Sequence, residues 1–183
     1  MIFSKSLDQW LLVLGVLLVV GVIPVSAQQL TPPKIEGKVI FGGAIFDEDL
    51  EHKVVGGAVR IYLTERVSIE PEYLYMRHSD IDQDHLVQPN IAIDITDPTK
   101  RFVAYAIAGA GLLHHRGRFF GRDFETGAPR VFDVSVNGWT VSAGGGVKIF
   151  VTDRFFVSPE VRVGREPTFR ATVNVGYVFG GRR

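Results

Sequence analysis

The chain has 183 residues, and its 20 Lys and Arg balance 20 Asp and Glu to a formal net charge of zero. That length fits one domain after removal of a targeting segment, and the even balance argues against a nucleic-acid partner, which needs clustered Lys and Arg for phosphate. A hydrophobic fraction of 46% and a charged fraction of 22% exclude disorder, and the absence of cysteine excludes disulfides, thiol catalysis and thiolate zinc sites while suiting an oxidising compartment.

The first element is a targeting signal. Lys5 precedes the apolar run Leu11-Leu12-Val13-Leu14-Gly15-Val16-Leu17-Leu18-Val19-Val20, Pro24 breaks it, and Val25-Ser26-Ala27 supplies small residues. This is the pattern of a cleaved secretory signal peptide over residues 1–27. Cleavage leaves 183 − 27 = 156 residues, starting at Gln28. The alternative is an uncleaved anchor, since the uncharged stretch is long enough to span a bilayer. Thr31-Pro32-Pro33 then marks residues 28–35 as an extended lead-in, expected in the periplasm.

From residue 36 to 183 the chain reads as strands. About eight segments have the length of membrane-barrel strands, at 36–46, 53–64, 67–78, 85–96, 101–114, 138–151, 154–164 and 168–179. Alternation is clearest in the last, where Phe169, Ala171, Val173, Val175, Tyr177 and Phe179 oppose Arg170, Thr172, Asn174 and Gly176. In the third, Val67, Ile69, Pro71, Tyr73 and Tyr75 oppose Ser68, Glu70 and Glu72. Such alternation predicts strands with one apolar and one polar face.

Period two does not say which face lies inside, and a soluble lipocalin-like barrel binding an apolar ligand remains an alternative. Three features favour lipid outside. Thr64-Glu65-Arg66, Asp97-Pro98-Thr99-Lys100 and Thr152-Asp153 are tight turns, whereas residues 47–52, 79–84 and 115–137 form longer connections on the opposite side, with 165–167 an exception. This is the loop asymmetry of outer-membrane barrels. Trp139, Tyr73, Tyr75, Phe155, Phe169, Tyr177 and Phe179 fall near segment ends, as interfacial girdles require. The polar face is rich in Gly, Ser, Ala and charges of both signs, which suits a narrow lumen; a soluble surface carries denser Lys and Glu. A closed barrel also leaves no strand edge in lipid.

Through Val103-Ala104-Tyr105-Ala106-Ile107-Ala108-Gly109-Ala110-Gly111 and Val173-Asn174-Val175-Gly176-Tyr177-Val178-Phe179, the chain resembles the small eight-stranded outer-membrane barrels of the OmpA/OmpX-like group. The resemblance implies an all-β, antiparallel up-and-down transmembrane barrel in the cell outer membrane, surrounded by outer-membrane lipid and lipopolysaccharide, monomeric, and inserted by barrel-assembly machinery that recognises the last strand. The tail Gly180-Gly181-Arg182-Arg183 departs from the family's aromatic end. No trailing peptidoglycan-binding domain is expected.

The inward charges Lys38, Arg60, Glu70, Glu72, Asp94, Lys148, Glu160, Arg162 and Arg170 are candidates for an acid/base pair or ion path, or for an ion-pair core that plugs the lumen. The turn at Glu65 predicts Arg60 opposite Glu70 with Glu72 diagonal; on the later strands Lys148 is expected diagonal to Glu160, and Arg162 close enough to Arg170 to need further anions. A barrel of eight strands is only wide enough for its own side chains, and buried charges must be paired, so the plug is the favoured reading. The loop residues His115, Arg116, Arg118, Phe119, Phe120 and Arg122 are basic and aromatic and are candidates for binding lipopolysaccharide phosphate or a host surface, because Arg forks match phosphate. Gly43, Gly57, Gly109 and Gly145, on the lipid-facing parity, are expected to relieve strand curvature.

A rim enzyme acting on lipid A would need a His–Ser pair. His78-Ser79 are neighbours and point to opposite faces, and His114-His115 has no Ser beside it. The histidines at 52, 78, 85, 114 and 115 lack a spacing that assembles three metal ligands. No catalytic residue, metal or cofactor is expected. The reading is a structural or adhesion-like surface barrel, with a small channel, a lipid A enzyme or a soluble binder as alternatives.

Overall fold

A computed structural model of the protein describes residues 34–46, 50–122 and 128–180. The expected signal peptide, the lead-in up to residue 33 and the tail at 181–183 lie outside these residues. Eight strands follow one another: β1 (Ile35–Phe46), β2 (Leu50–Tyr62), β3 (Val67–Ser79), β4 (Asp82–Asp94), β5 (Phe102–Arg122), β6 (Pro129–Phe150), β7 (Phe155–Gly164) and β8 (Phe169–Phe179). Each pairs antiparallel with the next, and β8 returns to β1 through pairs such as Val39↔Val175, closing an up-and-down barrel.

The two faces are inverted relative to a soluble protein. Val39, Phe41, Val55, Val59, Ile91, Ile93, Val161 and Val175 all point outward and are exposed. Glu36, Lys38, Arg60, Glu70, Glu72, Arg162 and Asn174 point inward and are buried. Leaving apolar side chains in water forgoes on the order of 1.5–3 kcal/mol each, so the outward band is suited to hydrocarbon. Closure satisfies the strand edges, the condition for a sheet in lipid. Aromatics ring both ends: Phe155, Tyr177 and Phe179 stack edge to face at one, and Trp139, beneath the Arg165 guanidinium, marks the other.

The lumen is layered. Nearest the end where β1 begins and β8 ends, Val103, Phe150, Phe156 and Val178 form an apolar floor. A charged layer follows, and above it Ile40, Ala44, Val54, Ala58, Leu74, Met76, Leu86 and Leu113 form a second apolar layer. Gly144 lets the wall draw close, because a Cβ there would lie 2.0 Å from the Val161 carbonyl oxygen and 2.7 Å from Arg162 Cα. Backbone cannot yield as a side-chain tip can, so Gly144→Ala is expected to cost about 1–3 kcal/mol of unfolding free energy in a urea titration in detergent.

Several expectations change. The connections are not longer at one end: Asp80 and Ile81 alone join β3 to β4, while residues 95–101 separate β4 from β5. The asymmetry lies instead in strand length. The segments expected at 101–114 and 138–151 extend to Arg122 and start at Pro129, so most of the expected loop 115–137 is a paired hairpin. β4 leaves β5 at Asp82↔Gly117, and β7 leaves β6 at Ser142↔Gly164. The hairpin continues from Arg118↔Asp133 to Arg122↔Pro129, about 16 Å beyond β4 at ~3.3 Å per residue. Gly109 faces the lumen, not lipid: a Cβ there would meet Asn90 Oδ1 at 2.3 Å. At the opposite end, Asp97 Oδ1 accepts from the Thr99 hydroxyl and backbone N–H at 2.7 and 2.9 Å, which holds its carboxyl below the usual carboxylate range.

Candidate functional site: the charged lumen and the projecting hairpin

The lumen brings the sequence-singled charges together. Arg60, opposite Glu70 by register, places Nε 2.5 Å from Glu70 Oε2 and also faces Asp94 at 3.5 Å. Lys38 Nζ lies 2.7 Å from Glu70 and 3.3 Å from Glu160. Arg162 is the hub: it reaches Glu160 at 2.7 Å, Glu72 at 3.0 Å and Glu70 at 3.6 Å, and donates to Asn90 Oδ1 at 2.9 Å. Arg170, the register partner of Arg162, shares Glu72 at 2.9 Å and Glu160 at 3.7 Å, so the like-charged pair is separated by common anions.

Lys148 is diagonal to Glu160 by register but does not turn to it. Its ammonium reaches across the lumen to Asp94 at 3.0 Å, Glu36 at 3.2 Å and the Tyr62 hydroxyl at 2.5 Å. Tyr105 Oη donates to Glu160 at 2.7 Å, and the Arg60 guanidinium sits 4.5 Å above its ring. Glu36, Tyr62, Tyr105 and Asn90 are therefore members that sequence reasoning missed. Glu36 sits beside the proline-rich lead-in, and the tyrosines and Asn90 carry no charge to mark them among the inward ions. Lys38, Arg60, Lys148, Arg162 and Arg170 thus face Glu36, Glu70, Glu72, Asp94 and Glu160, five cations against five anions. No charge of this set is left over.

This layer has no room for a path. A hollow lumen would leave inward side chains accessible to water, yet Arg60, Arg162, Lys148, Glu70, Leu74, Met76 and Phe156 are each no more than 2% exposed. The arrangement can hold the wall rigid; a substrate or hydrated ion would first have to displace it.

The projecting hairpin carries the other candidates, in strand rather than loop. Arg116, Arg118, Phe120 and Arg122 alternate onto the outward face of β5, opposite Ser135, Asp133, Val131 and Pro129. Arg118 pairs with Asp133 at 2.9 Å, and Phe120 is 72% exposed. His115 lies on the inward parity, and Phe119 is the backbone partner of Phe132. His78 Nδ1 lies 2.8 Å from the Glu51 carbonyl, and the Ser79 hydroxyl accepts from the Ile81 N–H. His114 meets Asn137. Neither histidine pairs with a serine nucleophile in these contacts.

No protein-family model matches the chain, and no curated protein is similar to it in sequence. Solved structures do share its fold. The N-terminal β-barrel domain of Pseudomonas aeruginosa OprF superposes with a TM-score of 0.60 at 18% identity, covering 82% of this chain and 100% of that one. Neisserial surface protein A gives 0.59 at 10% identity over 83% and 100%. Ail, the attachment invasion locus protein of Yersinia pestis, gives 0.50 at 11% over 79% and 96%. The fold is that of the eight-stranded transmembrane barrels.

Proposed function

We propose that the protein is an integral barrel of a bacterial-type outer membrane, reached by way of a cleaved signal peptide and the barrel-assembly machinery, with a non-catalytic, adhesion-like surface role. The observation that carries this is the contrast between a body that is apolar outside and packed inside and a single hairpin that rises beyond its neighbours. The body serves as a rigid anchor. The hairpin presents whatever the cell exterior meets. A neighbour in fold is named for attachment and invasion, and the basic, aromatic outward face of the hairpin suits a negatively charged surface.

Arg116, Arg118 and Arg122 rise on the same face as Leu112 and Trp139, so they stand above the lipid boundary, where lipopolysaccharide phosphates accumulate. Bidentate guanidinium contacts suit those groups. Replacing Arg116 and Arg122 with Gln is expected to weaken binding of the folded protein to lipopolysaccharide-containing vesicles several-fold while leaving unfolding unchanged. Equal binding by both proteins would remove the hairpin from this role.

A small channel is the competing function. Expected conductance in a planar bilayer is indistinguishable from the bare membrane, because current requires breaking the packed charged layer. Discrete, reproducible conductance steps would favour the channel.

A further inference from the structure

Above the second apolar layer, four side chains from three strands converge on the mouth of the lumen. His52 of β2 places Nε2 3.2 Å from Asp84 Oδ2 and 3.6 Å from Asp82 Oδ1. His115 of β5 places Nδ1 2.9 Å from Asp84 Oδ1 and 3.7 Å from the same Asp82 oxygen. The ligand atoms of His52, Asp82 and Asp84 all lie within 4.8 Å of one another. Spacing along the chain hides this set, because the register pairs Asp84 with His115 and the barrel curves β2 across the mouth toward them.

We propose that His52, Asp82, Asp84 and His115 form a binding site for a divalent transition-metal ion of the zinc class. Imidazole nitrogen and carboxylate oxygen bind zinc at about 2.0–2.2 Å in tetrahedral geometry, so donors around one ion stand about 3.4 Å apart. The four imidazole–carboxylate separations, 2.9 to 3.7 Å, bracket that value, with His52 facing Asp84 Oδ2 and His115 facing Asp84 Oδ1.

Charge points the same way. Asp82 Oδ1 is enclosed and accepts no hydrogen bond among the described residues. Among the described residues, the nitrogen bases that approach both carboxylates are the two imidazoles. The five lumen cations lie below an apolar layer and have their own anions. No Lys or Arg pairs with either carboxylate in the contacts among the described residues, and a divalent cation held between the carboxylates and imidazoles supplies positive charge there. Side-chain exposures of 36% at His115 and 21% at Asp82 leave an approach from outside, while His52 at 1% is held from below, its ring against Phe46 and His78. The ion would tie β2, β4 and β5 together where the hairpin leaves the barrel, clamping the root of the element assigned to surface interaction. Metal binding itself does not depend on that assignment.

The test uses the full chain, folded in detergent and stripped with chelator. Titration calorimetry with zinc chloride is expected to show one saturable site per chain, and cobalt(II) to give the visible absorption of a four-coordinate N/O site. His115→Ala and Asp82→Asn, both partly exposed and so unlike a core change, are each expected to weaken zinc at least about tenfold. His114→Ala, which removes a neighbouring histidine outside the set, is expected to leave it unchanged. No saturable binding by a correctly folded protein would overturn the proposal. So would binding that survives His115→Ala with Asp82→Asn, or binding equally lost in His114→Ala.

Discussion

Arg162→Met is expected to destabilise the folded barrel by about 3–5 kcal/mol, the range for removing one partner of a buried ion pair. Arg162 answers Glu160, Glu72 and Glu70 at once, so its loss leaves four cations against five anions in a layer closed above and below by apolar side chains. Burying that surplus is what costs, more than the loss of the contacts themselves. The double change Arg162→Met with Glu72→Leu restores the balance and is expected to cost less than the sum of the two single changes. Urea unfolding in detergent, followed by tryptophan fluorescence, measures all three. Strict additivity would mean that the charges are solvated separately, and the packed lumen would then be wrong.

The second large effect is on the outer wall. Val175 stands outward between Val39 and Val157 and is 46% exposed. Val175→Arg is expected to cost about 2–4 kcal/mol in lipid vesicles, the range for a cation near the midplane of a barrel's lipid face. On a water-facing surface the same change stays within about 0.5 kcal/mol, and a value that small would mean that this outward face meets water rather than lipid. Unfolding titrations of the protein inserted in vesicles give the number.

Much of this architecture was legible in the sequence, and the limits have physical causes. Alternation such as Arg170-Ala171-Thr172-Val173-Asn174-Val175 exposes the strand and both its faces at once, because lipid and a charged lumen demand opposite chemistry. The Glu65 turn set the Arg60–Glu70 register directly. Lys148 was harder: a strand diagrammed flat offers Glu160 as its neighbour, whereas a closed barrel offers Asp94 and Glu36 across the lumen. The hairpin carries no strand signal in the sequence because its residues stand clear of lipid. Arg116 and Arg118 put charge on the outward face and Gly117 offers no side chain on the other, so no apolar alternation survives to mark a strand. The face of Gly109 is not legible because a glycine shows no polarity, and the small alanines around it face outward while Tyr105 and Ile107 fill the lumen. The His52, Asp82, Asp84 and His115 cluster joins strands far apart in the chain, and only closure brings them to one mouth.

The most direct test of the membrane barrel is the gel mobility of the protein from the outer-membrane fraction, with and without boiling in detergent. The structure predicts a compact, fast-running band that shifts to the unfolded position on heating, because a closed sheet with a packed lumen resists detergent until it is melted. A single band of unchanged mobility, recovered from the soluble fraction, would contradict the membrane reading and place the apolar faces away from lipid.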